Sequence, residues 1–166
     1  MPSLQNGIYR IKSRVSQSQS SDRRQLFVGI DTKQPREQRS GKIKEGSPII
    51  LVPKQKLASS VEVQLHNVGG DNYRMCFHTK EAQGLNFGCD KDNLQENNKV
   101  FVTKQEVEWA IDQGNHQSCY RVQVRESGMY LTAPEDAREN TQLILEQLMG
   151  EEGQEWEFER IRGSRD

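Results

Sequence analysis

The sequence predicts an all-β fold built from three similar units of four strands each. A Tyr-Arg dipeptide followed by an apolar residue opens every unit, at positions 9–11, 73–75 and 120–122. Further apolar runs follow each dipeptide at similar distances, so the repeat covers a whole supersecondary unit. Several runs alternate apolar and polar residues, as in Val61–Leu65, and a period of two is that of a strand. Three units of four strands are the pattern of a β-trefoil.

Each remaining strand is predicted where an apolar run occupies the same place in the three units. The second strands are expected at Leu26–Val28, Leu85–Phe87 and Met129–Leu131. The third strands are expected at Ile49–Val52, Val100–Val102 and Leu143–Leu145. The fourth strands are expected at Val61–Val63, Val107–Trp109 and Trp156–Phe158.

The segment Asn140–Gly150 has two interpretations. Taken alone, it has the apolar spacing of an amphipathic helix that would end at Gly150. The equivalent runs of the other units are rich in Val and Ile, which favour strands. We therefore predict a strand within this segment.

The chain of 166 residues fits one domain. We divide it into units at about 7–67, 71–112 and 118–161, which turn-forming linkers separate, and we expect residues 162–166 to form a loose tail. Unit one is the longest, and its excess lies in two loops, a polar one at 16–24 and a long basic one at 31–47. Loops of this length in a compact domain are usually functional or disordered.

The composition excludes several classes of function. The 23 basic and 24 acidic residues give a net charge of -1, which argues against nucleic-acid binding. No apolar stretch is long enough to span a membrane, and the first residues lack the features of a signal peptide. The three cysteines have no paired spacing, which together with the missing signal features predicts a cytoplasmic, reduced protein without disulfides. We also expect a monomer.

The sequence contains no catalytic or metal-binding motif. A nucleophile elbow, a phosphate-binding loop and a paired Cys or His motif are all missing. Cys76 and His78 are close together, but alternation along a strand leaves few further ligands near them. We therefore expect neither an enzyme nor a bound cofactor or metal.

A glycan-binding function has one motif in its favour. Ricin-like trefoil lectins repeat a Gln-x-Trp motif, and Gln154-Glu155-Trp156 resembles it once. The equivalent places, Ser60–Val63 and Glu106–Trp109, lack the glutamine. Trp109 and Trp156 are expected to fill the core. These observations weaken sugar binding, and a lectin remains as the alternative function.

Three stretches of the chain resemble the fungal β-trefoil serine protease inhibitors found in mushrooms. They are Asn6–Ile11, then Val107–Ile111 followed by a Gly-Asn turn and Tyr120–Val122, and Thr141–Leu145 closing on Trp156–Ile161. The resemblance covers most of the chain and implies inhibition of a protease partner. The related mushroom cysteine-protease inhibitors share the opening strand pattern, and they provide a further alternative.

The resemblance also implies an inhibitory side chain on an exposed loop between the second and third strands of a unit. In unit one this position falls at about Arg36, within a group made of Lys33, Pro35, Arg36, Glu37 and Arg39. In unit three the loop is Pro134–Asn140, and the corresponding group is Ala137, Arg138 and Glu139.

The chemistry of a basic residue agrees with this implication. A trypsin-like S1 pocket ends in a buried Asp and selects Arg or Lys. Arg36 could form a bidentate ion pair there, and Pro35 before it would lower the entropy lost on docking. We predict an inhibitor of trypsin-like serine proteases with Arg36 as the first candidate and Arg138 as the second.

Overall fold

The computed structural model describes residues 4–14, 25–31, 43–53, 61–79, 82–115, 118–134, 137–150 and 152–163. This part of the chain contains thirteen strands and no α-helix, which confirms the predicted all-β class. The strands are β1 Gly7–Ser13, β2 Leu26–Ile30, β3 Ile49–Pro53, β4 Val63–Gly69, β5 Asn72–Phe77, β6 Asn86–Gly88, β7 Asn98–Lys99, β8 Phe101–Thr103, β9 Trp109–Gln113, β10 Cys119–Val124, β11 Met129–Thr132, β12 Ile144–Gln147 and β13 Trp156–Gly163.

The alternation of residues along the strands determines what faces the core. In β5, Tyr73, Met75 and Phe77 are buried, whereas the residues between them are only half-buried. Successive side chains of a strand point to opposite faces, so the apolar set reaches the interior together. The largest fully buried side chains are Trp109 and Trp156.

Six strands close into a barrel. The antiparallel pairs run in the order β1–β4–β5–β9–β10–β13, and β13 returns to β1. Three further pairs, β2–β3, β6–β8 and β11–β12, form one hairpin in each unit beside the barrel. Closure leaves the six barrel strands without a free edge.

A cycle of three backbone hydrogen bonds joins the three hairpins. Ile49 N–H donates to the Val100 carbonyl at 3.1 Å, Val100 N–H to the Leu143 carbonyl at 3.0 Å, and Leu143 N–H to the Ile49 carbonyl at 2.9 Å. All three side chains are fully buried. Each residue belongs to a different unit, so the cycle lies where the three units meet.

Several strand boundaries differ from the prediction. β4 and β9 continue as hairpin arms along β5 and β10, past the ends predicted for them. Arg162 and Gly163, expected in a loose tail, instead pair with Ile8 and Gly7, and residues 164–166 lie outside the described part. The strand predicted within Asn140–Gly150 is confirmed as β12.

Candidate functional site

The turn between β11 and β12 presents Arg138 to solvent on a compact frame. Arg138 N–H donates to Thr141 Oγ1 at 3.0 Å, and Thr141 N–H donates to the Arg138 carbonyl at 3.1 Å. Ala137 is half-buried and packs against the core, and its N–H donates to the Pro134 carbonyl at 3.0 Å. Glu139 is half-buried and Arg138 is exposed. The arginine side chain therefore projects from a turn that its own backbone closes.

This turn is bound to a strand of another unit. Asn140 has a φ of 71°, in the left-handed region that asparagine tolerates better than most residues. Its N–H donates to the Leu51 carbonyl at 2.8 Å, and Leu51 N–H donates to the Thr141 carbonyl at 3.0 Å. Two backbone bonds thus fix the turn to β3, which lowers the entropy that Arg138 would lose on docking.

The same turn occurs in all three units, at Lys44–Ser47, Gln95–Asn98 and Arg138–Thr141. In each, the fourth N–H donates to the first carbonyl, at 3.1, 3.3 and 3.1 Å in chain order. The third residue has a φ of 93°, 69° and 71°, and its N–H donates to a carbonyl of another unit at 2.7, 2.8 and 2.8 Å. The turn is therefore part of the architecture, and its first residue is exposed every time.

The repetition identifies Lys44 as the unit-one equivalent of Arg138. Lys44 was not among the residues predicted from the sequence. A repeated pattern could have revealed it, because each turn has an apolar residue before its first position and a glutamate at its second position. The apolar residues are Ile43, Leu94 and Ala137, and the glutamates are Glu45, Glu96 and Glu139.

The Lys44 turn is held by the neighbouring unit. Glu45 Oε2 accepts the Lys104 N–H at 2.9 Å and the Thr103 hydroxyl at 3.1 Å. The backbone bond from Lys104 is the main reason that the pKa of Glu45 lies below its ordinary value. Lys44 itself is exposed, so units one and three each present a basic side chain at this place.

The first predicted inhibitory segment lies outside the described residues. It contains Lys33, Pro35, Arg36, Glu37 and Arg39. The described residues at the base of the 31–47 loop lie close together, because Asp31 N–H donates to the Pro48 carbonyl at 3.0 Å. Pro48 and Leu51 are three residues apart, or about 10 Å in an extended chain. The base of this segment and the turn carrying Arg138 therefore approach the same strand.

Arg138 has the charge that an acidic S1 pocket selects, but its backbone is already engaged. Substrate-like docking places the carbonyl of the specificity residue in the oxyanion hole. The Arg138 carbonyl accepts the Thr141 N–H instead. Docking of Arg138 in this manner therefore requires the turn to exchange that internal bond for one to the protease.

The Gln-x-Trp motif is used for structure. The Gln154 side chain is buried; its Oε1 accepts the Met149 N–H at 2.7 Å. Its Nε2 donates to the Gln147 carbonyl at 2.7 Å and to Thr132 Oγ1 at 3.3 Å. Both polar atoms of this buried glutamine are therefore engaged within the protein, and they tie the loop before β13 to β11 and β12.

Both tryptophans lie in the core, as predicted. Trp156 Nε1–H donates to the Leu131 carbonyl at 3.1 Å, and Trp109 Nε1–H donates to the Phe87 carbonyl at 3.0 Å. Both rings are fully buried. Val63 holds the equivalent place in unit one and has no such donor, so the motif is incomplete there for a structural reason.

The described surface offers no exposed aromatic ring. All eleven Tyr, Phe and Trp residues of the chain fall among the described residues; seven are buried and four are half-buried. The four half-buried rings are Phe101, Tyr120, Tyr130 and Phe158. Sugars commonly stack their apolar face on an exposed ring, which combines a large apolar area with few rotamers. Such a platform is missing from this surface.

The thiols are poorly suited to nucleophilic chemistry. Cys76, Cys89 and Cys119 are free, and burial raises the pKa of each above its ordinary value, to about 12 for Cys89. Among the described residues, no group of three or more His, Cys, Asp and Glu side chains could hold a metal ion. No helix in that part of the chain is long and apolar enough to cross a membrane.

The fold is shared with solved β-trefoil proteins. A designed threefold-symmetric protein, ThreeFoil, superposes with a TM-score of 0.73 at 13% identity, covering 93% of this chain and 99% of its own. The ricin B-like lectin of Macrolepiota procera, solved with lactose, gives 0.70 at 13% identity, covering 97% and 100%. A proteinase inhibitor from Coprinopsis cinerea gives 0.66 at 16% identity, covering 96% and 100%.

These similarities make the chain a β-trefoil protein. The neighbours include both fungal lectins and a proteinase inhibitor, and at identities of 13–16% the likeness establishes the fold alone. No protein-family model and no curated protein sequence matches the chain.

Proposed function

We propose that this protein inhibits serine proteases of trypsin-like specificity by presenting a basic side chain to the S1 pocket. The observation that carries the proposal is the exposed Arg138 on a turn fixed to β3. Arg36, in the long basic segment of unit one, remains the first candidate from the sequence. The similar protein from Coprinopsis cinerea is a proteinase inhibitor, which supports the same class of function.

The physical basis of the proposed inhibition is an ion pair that forms away from water. A guanidinium that enters an S1 pocket can bind the buried Asp in a bidentate manner, which is stronger than a surface pair. The two bonds to β3 limit the conformational entropy that the turn loses on binding, and docking exchanges the bond from Thr141 to the Arg138 carbonyl for one from the protease. The protein would act as a slowly turned-over substrate whose loop stays attached to the barrel.

A lectin is the second candidate. Its support is the similarity to the lactose-bound Macrolepiota procera lectin over 97% of this chain. Against it stand the missing exposed ring and the buried Gln154, whose polar atoms are used internally. A cysteine-protease inhibitor is the third candidate, and the exposed apolar loop at Leu148–Gly150 would suit it.

Titration of trypsin with purified protein tests the proposal. The wild type is compared with Arg36→Ala, Arg138→Ala and the double variant, and Gln95→Ala serves as the matched control from the equivalent turn of unit two. We expect inhibition that the double variant loses and the control retains. Papain and a glycan array are measured in parallel.

Three results would redirect the assignment. Inhibition that survives in the double variant keeps the function and moves the site, with Lys44 next. No inhibition of trypsin at micromolar protein, with inhibition of papain, favours the cysteine-protease inhibitor. Binding on the glycan array without inhibition of either enzyme favours the lectin.

A further inference from the structure

The loop between β12 and β13 exposes two large apolar side chains. Leu148 and Met149 are 48% and 55% exposed. Val68 is the other large apolar residue found exposed in the described part of the chain, at 37%. This adjacent pair leaves apolar area in water, which insertion into an apolar pocket would bury.

One buried amide group holds the backbone on both sides of Leu148. Gln154 Nε2 donates to the carbonyl of Gln147 at 2.7 Å, and Gln154 Oε1 accepts the N–H of Met149 at 2.7 Å. Gln154 is itself 1% exposed. Leu148 is therefore fixed at the outward side of a clamp that the protein interior supplies.

Peptide planarity then sets the direction of the Leu148 backbone groups. The described peptide bonds are trans, so the C=O and N–H of one peptide point in opposite directions. The Gln147 carbonyl points to Gln154, and hence the Leu148 N–H points away from it. The Met149 N–H points to Gln154, and hence the Leu148 carbonyl also points away. Neither group of Leu148 has a hydrogen bond within the described residues.

The other end of the loop, at Gly153, is also held by hydrogen bonding and close packing. Ala133 N–H donates to the Gly153 carbonyl at 2.8 Å, and a Cβ on Gly153 would lie 2.6 Å from the Ala133 carbonyl oxygen. Only glycine fits so close to the end of β11. The loop is thus anchored at both ends, with its apolar pair facing outward.

We propose that Leu148–Met149 is a second protease-binding peptide, in which Leu148 enters the S1 pocket of a chymotrypsin-like serine protease. Such an enzyme has an apolar S1 slot, and it requires the carbonyl and the N–H of the specificity residue to face outward. Leu148 meets both conditions, whereas the Arg138 carbonyl is engaged by Thr141. This site extends the proposed inhibitory function to a different protease specificity.

The clamp also explains why cleavage would reverse. The protease serine Oγ adds to the Leu148 carbonyl carbon, the bond to the Met149 nitrogen breaks, and the protease histidine passes the serine proton to that nitrogen. Gln154 Oε1 would keep the released amine beside the acyl carbon. Attack by this held amine re-forms the peptide and returns the proton to the serine through the histidine. Hydrolysis by water is therefore outcompeted.

The test measures the inhibition constant for chymotrypsin with the intact protein. We expect Leu148→Gly to weaken inhibition about 100-fold or more, as for the loss of a central anchor. Val68→Ala, an exposed apolar residue in β4, is the matched control and should leave the constant unchanged. Thermal unfolding of each variant is measured to check that the fold is retained.

A gain-of-function variant provides the second part of the test. In a background that carries Arg36→Ala, Lys44→Ala and Arg138→Ala, we expect Leu148→Lys to create trypsin inhibition and to abolish chymotrypsin inhibition. Wild-type protein that leaves chymotrypsin fully active at micromolar concentration would overturn the inference. The inference also fails if Leu148→Gly retains full inhibition, or if only papain inhibition or self-association depends on Leu148. Trypsin inhibition through Arg36 or Arg138 would still stand in each case, so the two proposals fail separately.

Discussion

The Leu143 N–H donates to the Ile49 carbonyl at 2.9 Å, although the two residues are 94 positions apart in the sequence. With the bonds from Ile49 to Val100 and from Val100 to Leu143, this contact closes a cycle through all three units. Every member is both donor and acceptor, so none of these buried backbone groups lacks a partner. The loops of the three units therefore start from a common fixed centre.

Truncation of a buried side chain at this centre should lower the stability of the fold. We expect Leu143→Ala to lower the free energy of unfolding by about 2–5 kcal/mol, because it removes a fully buried side chain and leaves a cavity. Urea unfolding at neutral pH measures the change. Leu148→Ala, which alters an exposed leucine, should change stability by less than about 0.5 kcal/mol. Equal effects in the two variants would contradict this placement.

The left-handed position of the Arg138 turn gives a second prediction. Asn140 has a φ of 71°, so Asn140→Ala should cost about 1–2 kcal/mol, whereas Asn140→Gly should be close to neutral. Denaturant midpoints of the two variants provide the comparison. The unit-one equivalent, Gly46, has a φ of 93°, and Gly46→Ala should be destabilising in the same way. A stable alanine at both sites would argue against the repeated turn.

Replacement of a core tryptophan tests the buried hydrogen bonds. Trp156→Phe removes the N–H that the Leu131 carbonyl accepts at 3.1 Å, and it also leaves a gap. We expect a loss of about 2–4 kcal/mol of stability, measured by thermal or urea unfolding. Trp109→Phe breaks the equivalent bond to Phe87 and should behave alike. A change below about 1 kcal/mol in either variant would mean that the bond contributes little.

Steric fit at Gly153 gives a prediction for the loop that carries Leu148. The added Cβ of Gly153→Ala would meet the Ala133 carbonyl oxygen at 2.6 Å, so the loop or the strand must move. We expect a loss of about 1–3 kcal/mol and weaker inhibition of chymotrypsin. Gly150→Asn is a control in the same loop, since Gly150 has a φ of 71° with open space around its Cβ position.

The carboxyl pair Asp71 and Asp112 should make stability depend on pH. Partial burial and the neighbouring Asp71 raise the pKa of Asp112 above its ordinary value. A carboxyl whose pKa is higher in the folded state stabilises the fold below the unfolded pKa, and this contribution is lost as pH rises through the folded pKa. Measured by urea unfolding from pH 3 to pH 7, the stability of the wild type relative to Asp112→Asn should fall as pH rises, because other carboxyls such as Glu45, whose pKa is lowered, affect both proteins alike. An identical profile in the two proteins would rule out the coupling.

The repeated sequence motifs provided most of the information about the fold. The Tyr-Arg dipeptides and their following runs predicted the strands, and comparison of the units correctly favoured a strand at β12 over a helix. The ends of β4, β9 and β13 were harder to predict from the sequence, because the length of a strand depends on its pairing partner. Arg162 and Gly163 are ordered by pairing with β1 at the other end of the chain, and no local pattern indicates this.

The candidate site was less accessible to prediction. The sequence singled out Arg138, but the hydrogen bonds from its backbone to Thr141 depend on the closed turn. Lys44 was missed because the short pattern that it shares with Arg138, an apolar residue before it and a glutamate after it, marks a turn only once the positive φ and the bonds between units are known. The clamp formed by Gln154 was hidden for a similar reason, since a Gln-x-Trp motif first suggests sugar binding.

The pairing of β1 with β13 has a consequence for biosynthesis. The first strand cannot complete the barrel until the last strand has left the ribosome, because Ser13 pairs with Trp156 and Gly7 with Gly163. Contacts so distant in sequence slow folding to the range of milliseconds to seconds. A ribosome stalled shortly before Trp156 would hold a chain whose β1 and β10 still have open edges, and such edges are templates for pairing with other chains.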